Sequence, residues 1–288
     1  MKLGLAVADY TWPGAMGDTL REVAAAAEDA GFGAIAVMDH LWQVPVVGEA
    51  EQEMLESYTT LGFLAACTSR IELLTLVTAA VYRAPALLAK ALTTVDVLSG
   101  GRAWLGIGVG SPINAAEAAG LGMPFPELSE RFERLRETLE ICHQMWSDSE
   151  KPYAGKHYTL GRTLNSPQSI QRPRPPILIG GSGERTLRLV AKYGDACNLF
   201  VGPDLERKLD TLRRHCDELG RDYDEIAKTV LFPLDPGADG RNVERLLSDL
   251  RWFADLGIDT VYGPVPAAHE ITPLELLGRH VIPAVAGY

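Results

Sequence analysis

The sequence is poor in the features that define several classes of protein. Its four cysteines, Cys67, Cys142, Cys197 and Cys216, are scattered through 288 residues with no C-x-x-C pair and no histidine cluster at ligand spacing. That usage argues for a reducing compartment and against a zinc site, so no metal is expected. Positive charge is in deficit: 27 Lys and Arg against 38 Asp and Glu leave a net charge of −11. A nucleic-acid partner is therefore not expected, because the basic footprint it needs is missing. No apolar run approaches the roughly 20 residues that span a bilayer, and the apolar start from Met1 to Ala8 is too short for a signal peptide. The expectation is a soluble cytoplasmic protein with no membrane contact. Asp9 to Gly17 holds no G-x-G-x-x-G, which counts against an open dinucleotide-binding sheet.

What is present is alternation. Short apolar runs predict strands at Leu3 to Ala8, Gly33 to Met38, Ile71 to Val77, Ala103 to Gly108, Pro176 to Gly180, Ala196 to Val201, Ile226 to Phe232 and Thr260 to Gly263. Amphipathic runs between them predict helices near Leu55 to Thr68, Pro85 to Leu98, Ser129 to Trp146, Glu184 to Tyr193, Leu205 to Leu219, Asn242 to Leu256 and Pro273 to Val281. A further helix follows the first strand, capped by Asp18 or Thr19 and stopped at Gly31. Strands that each lead into a helix, at this length, predict an α/β chain folded as one (β/α)8 barrel domain over residues 1–288. One stretch breaks the rhythm: Ser147 to Pro175 is polar and Pro-rich, with Arg162, Arg172 and Arg174. It reads as an insertion between the fourth helix and the fifth strand.

Barrel chemistry sits where strands end. Strand two delivers Asp39-His40 and then Trp42, an acid/base pair with a stacking surface, although a histidine there can equally cap a loop. Strand three brings Thr75 and Thr78, whose hydroxyls either face a ligand or bond within the chain. Strand four ends Gly106-Ile107-Gly108-Val109-Gly110-Ser111-Pro112-Ile113-Asn114. Glycines at alternate positions clear one face, either for a flat ligand or for a tight barrel bend. After strand five, Gly180-Gly181-Ser182-Gly183-Glu184-Arg185-Thr186 opens a helix whose free N–H groups suit a phosphate, or simply cap that helix. Tyr10, Trp12 and Trp42 lie on the first rim loops and can wall an apolar pocket.

Together these residues resemble a known family. Met38-Asp39-His40, Pro85-Ala-Leu-Leu-Ala-Lys90, Leu98-Ser-Gly-Gly-Arg102, Leu105-Gly-Ile-Gly-Val-Gly110 and Ile179-Gly-Gly-Ser-Gly183 look like the bacterial luciferase-like flavin and deazaflavin oxidoreductases, and most like their coenzyme F420-dependent branch. The similarity runs from Met1 to about Val201. It implies a deazaflavin across the barrel mouth, its ring against Asp39, Thr78, Val109, Gly110 and Asn114, and its phosphate against Ser182, Gly183, Arg185 and Thr186, with Gly181 in the same turn. It also implies a non-proline cis peptide in a strand-three bulge, placed at Thr75-Leu76, and a proton-transfer role for His40. Asp39 would bind the cofactor or orient His40.

Departures from the sugar-phosphate branch are also visible. Ser111 stands where that branch has a glutamate, and Phe200 and Pro203 where it has a threonine and a lysine. With Tyr10, Trp12, Trp42 and Phe200 these favour a small apolar or conjugated substrate. The expectation is an F420-dependent, homodimeric oxidoreductase that moves a hydride between the deazaflavin and such a molecule. The alternatives are an FMN-dependent monooxygenase and a flavin-binding barrel without turnover. An anionic cofactor on an acidic chain needs local cations, for which Arg185 with Arg83 or the insertion's arginines are candidates.

Overall fold

A computed structural model describes residues 1–288. Eight parallel strands, Lys2–Val7, Ala34–Val37, Glu72–Thr75, Ala103–Gly108, Ile177–Gly180, Ala196–Phe200, Ala227–Leu231 and Thr260–Gly263, stand in chain order as strands one to eight. Strand one pairs with strand eight, Gly4 opposite Tyr262, and strand three with strand four, Leu73 opposite Ala103. The sheet therefore closes into a barrel. The expected (β/α)8 architecture is the observed one, and the strand boundaries fall within about two residues of those read from apolar runs.

Alternation within each strand divides the core in two. Leu3, Leu5 and Val7 point outward into the main core, where they meet the buried face of α1 (Met16–Ala30) formed by Leu20, Val23, Ala24 and Ala27. Helix α1 starts two residues before Asp18, with Ala15 at its N-cap, and Gly31 ends it in the left-handed conformation. The barrel interior is a smaller cluster of Ala34, Ala36, Leu74, Leu178, Ala196 and Tyr262. Small residues dominate it because one large ring needs the room: a Cβ at Gly4 would lie 2.3 Å from the Tyr262 ring.

The outer layer comprises α2 (Ser57–Cys67), α3 (Pro85–Ser99), α5 (Leu128–Met145), α6 (Glu184–Tyr193), α7 (Leu205–Leu219), α8 (Val243–Asp255) and α9 (Thr272–His280), with a short α10 (Ile282–Val285) after it. Helix α4 (Pro112–Gly120) is additional to the expected set. Between α5 and strand five the chain forms a two-stranded hairpin, Tyr153–Ala154 with Thr159–Leu160. Two buried carboxylates pin this segment to the barrel's helices. Glu137 of α5 accepts the N–H groups of Lys156, His157 and Tyr158 at 2.9, 3.0 and 3.1 Å. Asp96 of α3 accepts those of Ile170 and Gln171. No helix is long and apolar enough to cross a membrane.

Candidate active site

His40 follows strand two at the carboxyl-end rim, half-buried. Its partner comes from α4. The residue before that helix, Ser111, donates its N–H to Asn114 Oδ1 at 2.7 Å, and Pro112 opens the first turn. A serine N-cap, proline at the first position and an amide at the third are a helix-start signal. One turn on, Glu117 is 3% exposed. Its Oε1 accepts the N–H groups of Leu41 and Trp42 at 2.7 and 3.1 Å, so the carboxylate fixes the loop that carries the histidine. Its Oε2 lies 2.9 Å from His40 Nδ1 and also accepts from the Tyr82 hydroxyl, which in turn accepts from Asn114 Nδ2 at 2.7 Å.

Burial alone would push the Glu117 carboxyl up. The hydrogen bonds from His40, Tyr82 and the Trp42 N–H outweigh it and hold the group down at about 2. An ionised carboxylate only accepts, so a proton sits on His40 Nδ1, and in the neutral ring the lone pair is on Nε2. The stability this contributes is complete above 4.5, the ordinary value, and is lost as pH falls through about 2. Glu117→Gln is expected to flatten the acid limb of the stability curve between those values. Acid titration of both proteins followed by circular dichroism checks this, and superimposed difference curves would count against it.

Asp39 is 1% exposed and turned away from the histidine. Ser57 Oγ donates to its Oδ1 at 2.8 Å, and Arg83 grips both of its oxygens while also reaching Glu56. The Arg83 guanidinium stacks 4.7 Å from the Tyr58 ring centroid. Two expectations change here. Asp39 neither orients His40 nor presents a surface to a ring, and Arg83 is not free to balance an anionic cofactor. A buried carboxylate needs a paired cation, and these two satisfy each other.

The glycine-rich end of strand four serves a use that the sequence left open. Leu74 faces Trp104 and Thr78 faces Ile107, so four steps along the third strand match three along the fourth. The extra residue is a bulge, and the third strand resumes only at Thr78–Ala79. The bulge fills the cleared face. A Cβ at Gly106 would lie 1.7 Å from the Thr75 carbonyl oxygen, and Cβ atoms at Gly108 and Gly180 would lie 3.0 and 2.9 Å from Val77. The glycines thus admit the chain's own bulge rather than a ligand lying on bare backbone. The cis peptide is Leu76–Val77, one residue beyond the expected Thr75–Leu76.

Thr75 and Thr78 are buried, with their hydroxyls bonded internally. Thr75 donates to the Gly106 carbonyl at 2.8 Å, and Thr78 bonds to Thr75 at 3.0 Å and to the Tyr58 hydroxyl at 2.9 Å. Neither offers a cofactor any surface, whereas Leu76 and Val77 do. Asn114, 5% exposed, is likewise committed to its helix start and to Tyr82. Val109 and Gly110 remain partly open. Gly106→Ala is expected to lower the melting temperature sharply, because backbone oxygen cannot move aside. A thermal melt checks this, and an unchanged midpoint would show that the bulge is not required.

The turn before α6 keeps its expected form. Gly183 is the N-cap with no side chain capping it, so the first N–H groups of α6 are free. Gly181, at φ +113°, lets the chain turn there, and Ser182 and Arg185 are accessible while Thr186 is 4% exposed. Among the aromatics, Tyr10 is 1% exposed and belongs to the core, so it cannot wall a pocket; Trp12 leans on it with ring centroids 5.5 Å apart. Trp42 covers Gly120 of α4, while Ser111 and Phe200 are exposed. A separate cleft of about 290 Å³ lies between strand one and α1, lined by Leu5, Val7, Trp12, Val23, Val46 and Val265, and none of His40, Leu76, Val77 or Phe200 borders it.

A closed (β/α)8 barrel with a carboxylate-held histidine and an anion-ready turn on its carboxyl-end rim is the arrangement of a barrel enzyme. Residues 5–272 match the luciferase-like monooxygenase family, and the chain belongs to that family. It is 31% identical over 299 residues to the F420-dependent glucose-6-phosphate dehydrogenase of Kineococcus radiotolerans, an alignment covering 98% of this chain and 83% of that one. Two solved structures share the fold. An F420-dependent secondary alcohol dehydrogenase bound to an F420–acetone adduct matches with a TM-score of 0.82 at 17% identity, over 99% of this chain and 98% of the other. The coenzyme F420-dependent tetrahydromethanopterin reductase of Methanopyrus kandleri matches with a TM-score of 0.79 at 19% identity, over 98% of both chains.

Proposed function

We propose that the protein is a coenzyme F420-dependent oxidoreductase acting on a small, apolar organic substrate such as a secondary alcohol or an enone. The observation that carries this reading is the His40–Glu117 pair, which holds Nδ1 at 2.9 Å from a carboxylate at the carboxyl-end rim and leaves Nε2 as the nitrogen available to a substrate. The similarity to F420-dependent relatives supports the choice of cofactor. The chain's own surfaces fit such a group: the uncapped start of α6 suits its phosphate, and the half-exposed Leu76 and Val77 of the bulge present an apolar seat for a ring.

When bound, coenzyme F420 supplies the carbon that accepts or donates a hydride. His40 Nε2 takes the hydroxyl proton of an alcohol as its carbon loses the hydride, or returns it in the reverse direction. Glu117 stabilises the imidazolium that this produces and holds the ring in place. The rim side chains exclude water and hold the substrate close enough to react. An apolar substrate is supported by Ser111, Phe200 and Pro203, which replace the polar grips of the sugar-phosphate branch.

Anaerobic titration with F420 and with FMN, followed by turnover assays with secondary alcohols, enones and glucose 6-phosphate, tests this reading. Tight F420 binding with turnover of the apolar compounds is expected. Preference for glucose 6-phosphate would overturn the substrate class, and tight FMN binding with oxygen uptake would favour a monooxygenase.

A further inference from the structure

One oxygen of the active-site carboxylate carries more donors than it can serve. Glu117 Oε1 takes the N–H groups of Leu41 and Trp42. Its Oε2 faces three donors: His40 Nδ1 at 2.9 Å, the Tyr82 hydroxyl, and Asn114 Nδ2 at 3.3 Å. A carboxylate oxygen has two lone pairs, so the donors compete for them. Asn114 Nδ2 bonds better to the Tyr82 oxygen, at 2.7 Å, and that contact polarises the hydroxyl and strengthens its own donation to Glu117. His40 and Tyr82 are left sharing one acceptor.

The fold brings Tyr82 there through the bulge of strand three. Pairing resumes at Thr78–Ala79, the Ala80 N–H donates to the Gly108 carbonyl at 2.9 Å, and a turn closed by the Tyr82 N–H on the Ala79 carbonyl at 2.9 Å sends the ring toward α4. Burial, and after it the bond to Glu117, push the Tyr82 phenol up, so the group stays protonated and acts as a donor. Among charged groups only His40 bonds to this carboxylate. Asp39, the second carboxylate whose field Tyr82 feels, is neutralised by Arg83, which also holds Glu56. On the α5 side the Arg131 guanidinium turns to the Gly110 carbonyl at 2.8 Å.

We propose that Tyr82 is a positioning residue which, by sharing Glu117 Oε2 with His40, sets how strongly the carboxylate holds the Nδ1 proton and so how readily Nε2 accepts one. The inference rests on the proposed role of His40 and adds the group that tunes it. The hydroxyl draws charge from Oε2 that would otherwise stabilise the imidazolium, so it makes the histidine a weaker base than Glu117 alone would. Removing the hydroxyl turns the oxygen wholly to the ring, and the imidazolium then persists to higher pH.

Proton NMR follows the His40 Nδ1–H signal, assigned by its absence from His40→Ala, and steady-state kinetics follow the pH–rate profile. In Tyr82→Phe the signal is expected to move downfield, and the limb of the profile that reports His40 to move up by roughly half a pH unit. A tyrosine that only supports the fold would lower turnover without moving either. Replacing all nine tyrosines of the native chain by 3-fluorotyrosine keeps the hydroxyl and makes it a stronger donor, so the same signal is expected to move upfield. That arm decides the matter even if Tyr82→Phe folds poorly. A His40 signal that stays in place in both proteins would overturn the shared acceptor and leave His40 as the base. A signal that moves as expected beside an unmoved profile would remove His40 from the proton step, and the tuning of turnover with it.

Discussion

Replacing His40 with alanine is expected to lower turnover by about 10²–10⁴-fold, the usual worth of a positioned acid/base group, with little change in cofactor affinity. The split follows from the geometry. His40 stands at the rim with Nδ1 held by Glu117, while the surfaces that would bind a cofactor are the bulge and the turn before α6. Glu117→Gln should produce a smaller loss, because the amide can still hold the ring but can no longer stabilise a developing imidazolium or impose one tautomer. Its signature is therefore a displaced pH–rate profile rather than abolished turnover. Steady-state kinetics across pH, with affinity measured in parallel, separate these effects. Equal turnover in His40→Ala would remove the histidine from the mechanism.

Breaking the Asp39–Arg83 pair is expected to have the largest effect on stability. The Asp39 side chain is fully covered and that of Arg83 is 15% exposed, so Arg83→Met leaves a carboxylate uncompensated in the interior. Loss of one partner from such a pair costs about 3–5 kcal/mol. For a chain of this length that lowers the melting temperature by on the order of 10 °C. Asp39→Asn combined with Arg83→Met should fall short of the sum of the single changes, because the second substitution no longer strands a charge. Thermal melts of the three variants check this. Strict additivity would mean that the pair is not coupled, and an undiminished midpoint in Arg83→Met would mean that Asp39 is satisfied by other groups.

The barrel was legible because each strand is a short buried run bounded by turn residues, and the helices between strands carry apolar residues at a clear 3.6-residue spacing. The bulge was not, because it depends on which residues of strand four lie opposite it. Gly106 and Gly108 announced that something must come close, and only the pairing of strands three and four shows that Val77 and the Thr75 carbonyl do. Helix α4 was hidden by its start, where Ser111-Pro112 reads as the end of a glycine-rich strand although Ser, Pro and Asn at those positions also open a helix.

Missing α4 meant missing Glu117, which lies 77 residues from His40 in sequence and follows no local spacing. The adjacent Asp39 is the carboxylate that sequence offers His40 as a partner, but it lies beyond the strand's end at Val37 and is held instead by Arg83. Thr75 and Thr78 show the converse limit. A hydroxyl in a buried strand must find a partner, and the sequence does not reveal whether that partner is a ligand or, as here, Tyr58 and a backbone carbonyl.

The proposed chemistry needs a lone pair at the mouth of the barrel, which exists only if Glu117 keeps the imidazole proton on the far nitrogen. Nitrogen-15 NMR of protein labelled at histidine, with the His40 signals assigned through the His40→Ala spectrum, measures this directly. At neutral pH the account predicts a protonated Nδ1 and an unprotonated Nε2, with that preference weakened in Glu117→Gln. A proton resident on Nε2, indifferent to the residue at 117, would contradict it.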